Sequence, residues 1–376
     1  MQQLQRQVRR SAGAFGAALL FGISGASAQI LVGQTSGFSG AVAAGVKETT
    51  DGARLWIDAV NAKGGINGQR IELISMDDKF EPPLAAANAK TLIVERGVVA
   101  IFLNRGTPHT EAIRPLLEQY KVPLIAPSTG AMVLHKPVHP LIFNVRSTYQ
   151  REAEKAVQHL VTIGTTRIAL LQVDDSFGAD AAAGAAKGFA DAKLEPVYTA
   201  RFDRAKPDFG QIATTVAQKQ TQAVLFFGSG QAVVDGVKAI RAKGSRAQIV
   251  TLSNNASAGF VRQLGENARG TIVSQVFPNE RAIALPFVKE ASELAKAKGL
   301  PGITPAMMEG FAAAKVLVEG LRRAGPKPTR ESLTAALDGL SSMDLGGLKL
   351  GYSPANHTGL NYTELSIVGA DGRFVR

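Results

Sequence analysis

Val98-Val99-Ala100-Ile101-Phe102-Leu103-Asn104-Arg105-Gly106-Thr107, then a helical stretch from Thr110 to Tyr120, then Pro123-Leu124-Ile125-Ala126, packs a complete βαβ unit into residues 98–126. An unbroken apolar run too short for a helix, stopped by Gly or Pro, predicts a strand buried on both faces. Such strands belong to parallel sheets, whose crossover helices cover both sides. The same alternation runs upstream through Ile30-Leu31-Val32, a helical stretch near Asp51 to Ala62, Ile71 to Met76, and Pro82 to Glu95. It restarts downstream, where Ile168 to Val173, Pro196 to Phe202, Val224 to Phe227, Ile249 to Leu252 and Ile272 to Val276 read as strands. Helices such as Glu152 to Ile163 and Ala232 to Lys243 separate them. Two successive α/β series predict two doubly wound lobes.

A third section reads differently. Leu285 to Ala297, Ala306 to Arg323 and Arg330 to Leu340 are helical, Gly325-Pro326-Lys327-Pro328 is a helix stop, and Glu364 to Val368 is a last strand that returns the tail to one of the lobes. At the other end, Arg6, Arg9 and Arg10 precede an apolar run from Ala12 to Ile23 and the triplet Ala26-Ser27-Ala28. This is the pattern of a secretory signal peptide cleaved after Ala28, with the working chain starting at Gln29. The apolar run is too short to span about 30 Å of hydrocarbon, and no later stretch is long enough either, so the chain is not expected to be membrane-spanning.

Without its leader the chain has 348 residues, more than one hydrophobic core usually serves. The formal charge of +11 falls to +8, and the basic residues are scattered rather than gathered into a stripe with interleaved aromatics, which argues against a nucleic-acid partner. There is no cysteine, so disulfides, a thiol nucleophile and a lipidated cysteine are all excluded. Dinucleotide-binding, Walker, zincin and nucleophile-elbow motifs are absent, and no catalytic residues, metal site or cofactor is expected. The five histidines, His109, His135, His139, His159 and His357, read as loop residues facing solvent. Asp77-Asp78 and Asp174-Asp175 follow strands, where they either act chemically or cap the next helix; capping is the favoured reading.

What remains is a set of small polar loops at strand C-termini, where open α/β sheets bind ligands. They are Thr35-Ser36-Gly37, Asn104-Arg105-Gly106-Thr107 and Pro127-Ser128-Thr129-Gly130. Each offers backbone N–H groups and a hydroxyl, the equipment for a carboxylate.

The run Asp51-Gly52-Ala53 through Asn61-Ala62-Lys63-Gly64-Gly65-Ile66-Asn67-Gly68, with Ile71-Glu72-Leu73 and Asp77-Asp78, resembles the N-terminal hallmark of periplasmic solute-binding proteins of the leucine/isoleucine/valine-binding type. These are the receptors of branched-chain amino-acid ABC transporters. The likeness extends over essentially the whole mature chain, including Gly106-Thr107-x-x-Thr110 and Val122 to Ser128. It implies an α/β protein with two Rossmann-like lobes, parallel-rich sheets, a three-crossover hinge, and a small ligand enclosed when the lobes close. The lobes are expected at 29–147 plus about 277–352, and at about 148–276 plus 353–376. It also implies a periplasmic location and a membrane ABC permease as partner.

By the same resemblance, Thr107 and Ser128 hold a ligand carboxylate, with Thr129 one step off the register of a further hydroxyl, where this chain has Gly130. Phe177 covers the ligand from the second lobe, Ser229 contributes a polar contact, and Ser253, with Asn254 beside it, stands where an acidic partner for an amino group is expected. An ammonium enclosed without an opposite charge is strongly disfavoured. The expected ligand is therefore an organic carboxylate lacking an amine rather than a branched-chain amino acid. Arg105 beside Thr107 has two readings, a bidentate partner for that carboxylate or a solvated loop arginine. Transport is the first reading of function, a sensor of the same fold coupled to a membrane signalling protein the second, and an exported hydrolase a distant third.

Overall fold

A computed structural model describes residues 29–375; the expected leader and its cleavage point lie outside the described residues. The first sheet is built from β1 (Gln29–Ser36), β2 (Arg70–Asp77), β3 (Ala100–Phe102), β4 (Leu124–Ile125) and β5 (Ile142–Phe143), all parallel in the order β2-β1-β3-β4-β5. Between these strands run α1 (Ala43–Ala62), α2 (Pro82–Val94) and α3 (Thr107–Tyr120). The chain then crosses to a second series: α4 (Tyr149–Thr162), β6 (Ile168–Val173), α5 (Ser176–Asp191), β7 (Tyr198–Phe202), α6 (Gly210–Gln218), β8 (Ala223–Phe227), α7 (Gln231–Ala242), β9 (Gln248–Thr251), α8 (Ala258–Leu264) and β10 (Ile272–Gln275). It returns to cover the first sheet with α9 (Pro286–Ala297), α10 (Pro305–Arg323), α11 (Arg330–Asp338) and the small ribbon β11 (Met343–Asp344) and β12 (Lys349–Leu350). Finally β13 (Glu364–Val368) and β14 (Phe374–Val375) complete the second sheet, ordered β14-β13-β10-β9-β8-β6-β7, in which the β10–β13 and β13–β14 pairs are antiparallel and the others parallel.

Two lobes joined by three crossings follow from this order. The second lobe has its own core, including Leu171, Phe226, Ile249 and Phe260, and the first is filled by residues such as Phe102, Phe143, Phe287 and Phe311. β6 and β8 are buried along their whole length because helices cover both faces, which is why they read as pure apolar runs. Edge strand β2 buries only Ile71 and Leu73, and its second half is partly or fully exposed. Helix starts follow local chemistry: Thr148 caps α4, Asp175 caps α5, and Thr304 caps α10 just before Pro305. Leu360 still packs in the first-lobe core, and its N–H donates to the Val145 carbonyl, so the third crossing falls between Leu360 and Glu364, beyond residue 353.

The central strands are shorter than the apolar runs predict. β3 stops at Phe102 and β4 at Ile125 because Leu103 and Ala126 turn left-handed, with φ of 54° and 52°. Lys79 and Phe80, after β2, do the same at 52° and 63°. Residues with side chains resist this region by roughly 1–2 kcal/mol. The three loops therefore carry local strain at the strand ends that face the other lobe, a place where strain accompanies function.

The histidine expectation needs correction. His109 lies buried in α3 and stacks on Phe80, His135 is buried, and His357 is buried with its ring between the Asp338 carboxylate and backbone carbonyls. Burial pulls His109 and His135 down to about 4, leaving both neutral near pH 7. Asp175 caps α5 as expected, whereas Asp78 accepts from Thr35 Oγ1 and the Phe80 N–H and so braces the β1 and β2 loops instead of capping α2.

Candidate functional site

The loops after β3 and β4 are tied together before they meet any ligand. The Ser128 N–H donates to the Asn104 carbonyl at 2.7 Å, Asn104 Nδ2 donates to Thr110 Oγ1 at 2.8 Å, and the Thr107 and Thr129 hydroxyls meet at 2.7 Å. Gly106 sits at φ 100°, and a Cβ there would strike the His109 ring at 2.5 Å, so the turn into α3 requires glycine. Gly130 is equally constrained, because a Cβ would approach the Ser147 carbonyl oxygen to 2.5 Å. No hydroxyl side chain can therefore occupy position 130.

Opposite these loops, the second lobe supplies Phe177 at the start of α5, Ser229 after β8 and Asn254 after β9. Together they form a narrow cavity lined by Arg105, Gly106, Thr107, Ser128, Phe177, Ser229 and Asn254, with Phe80, Tyr149 and Arg204 completing the wall. Six of the eight residues singled out from sequence meet here. Thr129 lies behind Thr107, its hydroxyl already engaged. Ser253 lies deeper: its Oγ accepts from Arg146 Nη2 at 2.6 Å and its N–H donates to Glu152. Thr35 and Ser36 do not reach the cavity; their hydroxyls donate to Asp78 and the Leu103 carbonyl.

Phe80, Tyr149 and Arg204 were not visible as site residues in the sequence. The Tyr149 ring meets Phe177 edge-on at 4.8 Å and receives the Arg146 guanidinium on its face at 4.4 Å. Arg204 covers Phe80 at 4.9 Å and pairs with Asp175, joining the loop after β7 to the cap of α5. An Asp-Arg pair across separate loops leaves no local sequence signal.

Electrostatics separate two layers. Beneath the cavity, Arg146 pairs with Glu152 and lies 4.0 Å from Glu309, while Glu152 also accepts from Ser253 and Ser274. Burial opposes the Arg146 charge, but Tyr149, Glu152 and Glu309 outweigh it and push its pKa up. In the wall itself Arg105 is 6% exposed and donates to the Asn254 carbonyl, and among the described residues no carboxylate pairs with it. Burial pulls its pKa down, partly offset by Tyr149 and Glu309. The solvated reading of Arg105 is thereby excluded. Of the two guanidiniums in the wall, Arg204 is paired with Asp175 behind it, and Arg105 is left without a carboxylate among the described residues. Such a wall suits an anion that can accept from hydroxyl and guanidinium donors.

Comparison with known proteins agrees with this architecture. The profile of the periplasmic binding protein family matches residues 29–372. The Leu/Ile/Val-binding protein of Escherichia coli K12 is 22% identical over 259 residues, covering 69% of this chain and 70% of that protein. A substrate-binding periplasmic protein from Ralstonia solanacearum superposes with a TM-score of 0.85 at 31% identity, covering 92% of this chain and 99% of that one. A fatty acid ABC transporter substrate-binding protein from Thermomonospora curvata shares the fold, with a TM-score of 0.81 at 20% identity over 93% and 91% of the two chains. These are binding proteins rather than enzymes, and the family implies a periplasmic location. The chain belongs to the periplasmic binding protein family, in the type I fold of the leucine/isoleucine/valine-binding proteins.

Proposed function

We propose that this protein is the extracytoplasmic receptor of an ABC importer and that it carries a small organic carboxylate without an amino group. The observation that supports this most directly is Arg105, a buried guanidinium in the cavity wall with no carboxylate partner. A buried unpaired charge costs several kcal/mol, and an anionic ligand offsets that cost. Thr107 and Ser128 supply hydroxyls beside it, while Phe80, Tyr149 and Phe177 supply apolar and aromatic surface for the remainder of the ligand. An α-amino acid is less suited, since Glu152 and Glu309 are committed to Arg146 beneath the wall. The relative named for leucine, isoleucine and valine and the one named for fatty acids share a carboxylate among their ligands, which is the common chemistry.

The mechanism is hinge closure between a lobe of residues 29–147 with about 277–360 and a lobe of about 148–276 with 361–376. Ligand settles on the first lobe, the second adds contacts, and the permease reads the closed form. A leader cleaved after Ala28 delivers the chain to the periplasm. Mass spectrometry of denatured protein purified from the cell envelope tests the ligand class by identifying what it retained. A thermal-shift panel of isobutyrate, benzoate and leucine tests it again: the first two are expected to stabilise the protein and leucine is not. Stabilisation by leucine alone would overturn the ligand assignment, and recovery with a signalling protein instead of a permease would favour the sensor reading.

A further inference from the structure

Where the two lobes meet beside the cavity, α1 of the first lobe faces α8 of the second. Glu48, in the second turn of α1, sends its carboxylate across the gap: Oε1 accepts from the Gly259 N–H at 2.8 Å and Oε2 from the Ala258 N–H at 3.0 Å. Thr304, the cap of α10 in the first lobe, donates to the same Oε2 at 2.8 Å. The anchors belong to opposite lobes. α1 is held through Ala53, Leu55 and Ile57 in the first core, and α8 through Phe260, Val261 and Leu264 in the second. The first N–H groups of a helix have no partner within it, so on opening they pass to water and the carboxylate loses two donors.

The surfaces around this contact are cut for close approach. A Cβ on Gly259 would stand 2.4 Å from Ala44 Cβ and 3.3 Å from Glu48 Oε1, both in the first lobe. A Cβ on Gly230, in the loop leading to α7, would meet the Ala41 carbonyl oxygen at 1.9 Å, again across the gap. Gly230 is also held by its own backbone, at φ 52°, so Gly259 is the glycine whose substitution reports on the gap.

We infer that Glu48 is a positioning residue for ligand capture, an interlobe latch that holds the closed form through the Ala258 and Gly259 amides without touching the ligand, with Gly259 providing the clearance. The inference rests on the hinge-closure reading but not on the identity of the ligand. Because the chain has no cysteine, Lys90→Cys on α2 and Lys238→Cys on α7, both exposed, provide two unique dye sites for single-molecule energy transfer. Closed-state lifetimes are measured in buffer and in isobutyrate for the otherwise wild-type chain and for Glu48→Ala and Gly259→Ala. Both substitutions are expected to shorten the closed lifetime at least tenfold while leaving the closing rate and the melting midpoint nearly unchanged. Glu48→Gln, which retains an acceptor oxygen, is expected to fall between. Unchanged lifetimes in both variants, a Glu48→Ala effect confined to the melting midpoint, or a wild-type chain that closes in neither condition would overturn the latch. Variants that shift closure in buffer while isobutyrate does nothing to the wild type would leave the latch standing and reject the carboxylate assignment.

Discussion

Replacing Arg105 by Met tests the charge argument with two readouts of opposite sign. Met has similar reach and no charge, so it removes the guanidinium without opening a large void. Arg105 is buried, donates to the Asn254 carbonyl, and has no carboxylate partner among the described residues. Exchanging such an ion for an apolar side chain is neutral or stabilising, by up to about 4 kcal/mol when the packing is good. The melting midpoint is therefore expected to hold or rise by a few degrees. Ligand affinity is expected to move the other way. A hydrogen bond to a charged group contributes about 1.5–3 kcal/mol, so Arg105→Met weakens carboxylate binding by about 10- to 150-fold. Titration calorimetry with isobutyrate and benzoate, alongside thermal unfolding of the free protein, measures both. A midpoint that falls by several degrees with affinity unchanged would refute the reasoning, because it would make Arg105 a structural cation satisfied by the fold.

Thr107→Ala and Ser128→Ala are each expected to weaken the same carboxylates by about 1–3 kcal/mol in calorimetry, with Thr107→Ala the more disruptive because its hydroxyl also holds Thr129. Glu152→Ala strands Arg146 in a buried setting and is expected to destabilise the protein by about 3–5 kcal/mol in urea unfolding. Asp180 gives a pH signature: burial raises its carboxyl from 3.8 to about 6, and Oδ2 has no hydrogen-bond partner among the described residues. The native state therefore holds this proton more tightly than the unfolded chain, and the stability it contributes is complete below pH 3.8 and declines until the pH passes about 6. Asp180→Asn is expected to match wild type near pH 3.5 and to exceed it above pH 6 by about 2–3 kcal/mol, and urea unfolding at the two pH values checks it.

The sheets were legible because their strands are short apolar runs whose length excludes helices, and the two successive series made two lobes the natural reading. Strand ends were less so. Nothing in Phe102-Leu103 or Ile125-Ala126 announces a left-handed residue, since neither Leu nor Ala favours that region; packing of the loops after β3 and β4 overrides local preference. The return to the second lobe lies several residues past 353 for a related reason. Tyr352, His357 and Leu360 look like loop residues, but Tyr352 donates to the Asn144 carbonyl and the His357 ring stacks on Phe143, which keeps the segment on the first lobe. The site was legible where one loop carried it, as with Arg105 and Thr107. It was illegible where partners come from separate loops, as with Arg204 and Asp175, or from a helix whose first residue doubles as a wall, as with Tyr149.

Ser253 shows how a register argument can single out a position without revealing what surrounds it. Its position after β9 drew attention to the lack of an acid where an amino group is expected, and the cavity wall has none. The cleft is not free of acids, however. Glu152 and Glu309 lie just beneath, and Ser253 belongs to their layer, where it accepts from Arg146 and donates its N–H to Glu152. What decides the ligand class is therefore the allegiance of those carboxylates. Glu152 is 0% exposed and satisfied by Arg146, Ser253 and Ser274, so an ammonium reaching it would have to break a buried pair and displace three donors. Glu309, 4.0 Å from Arg146 Nη1, is less tightly held, but drawing it toward an amine leaves Arg146 with only one carboxylate and brings a second cation toward Arg105. The proposed carboxylate ligand without an amine would meet neither penalty: it would compensate Arg105 directly and leave the lower layer as it is.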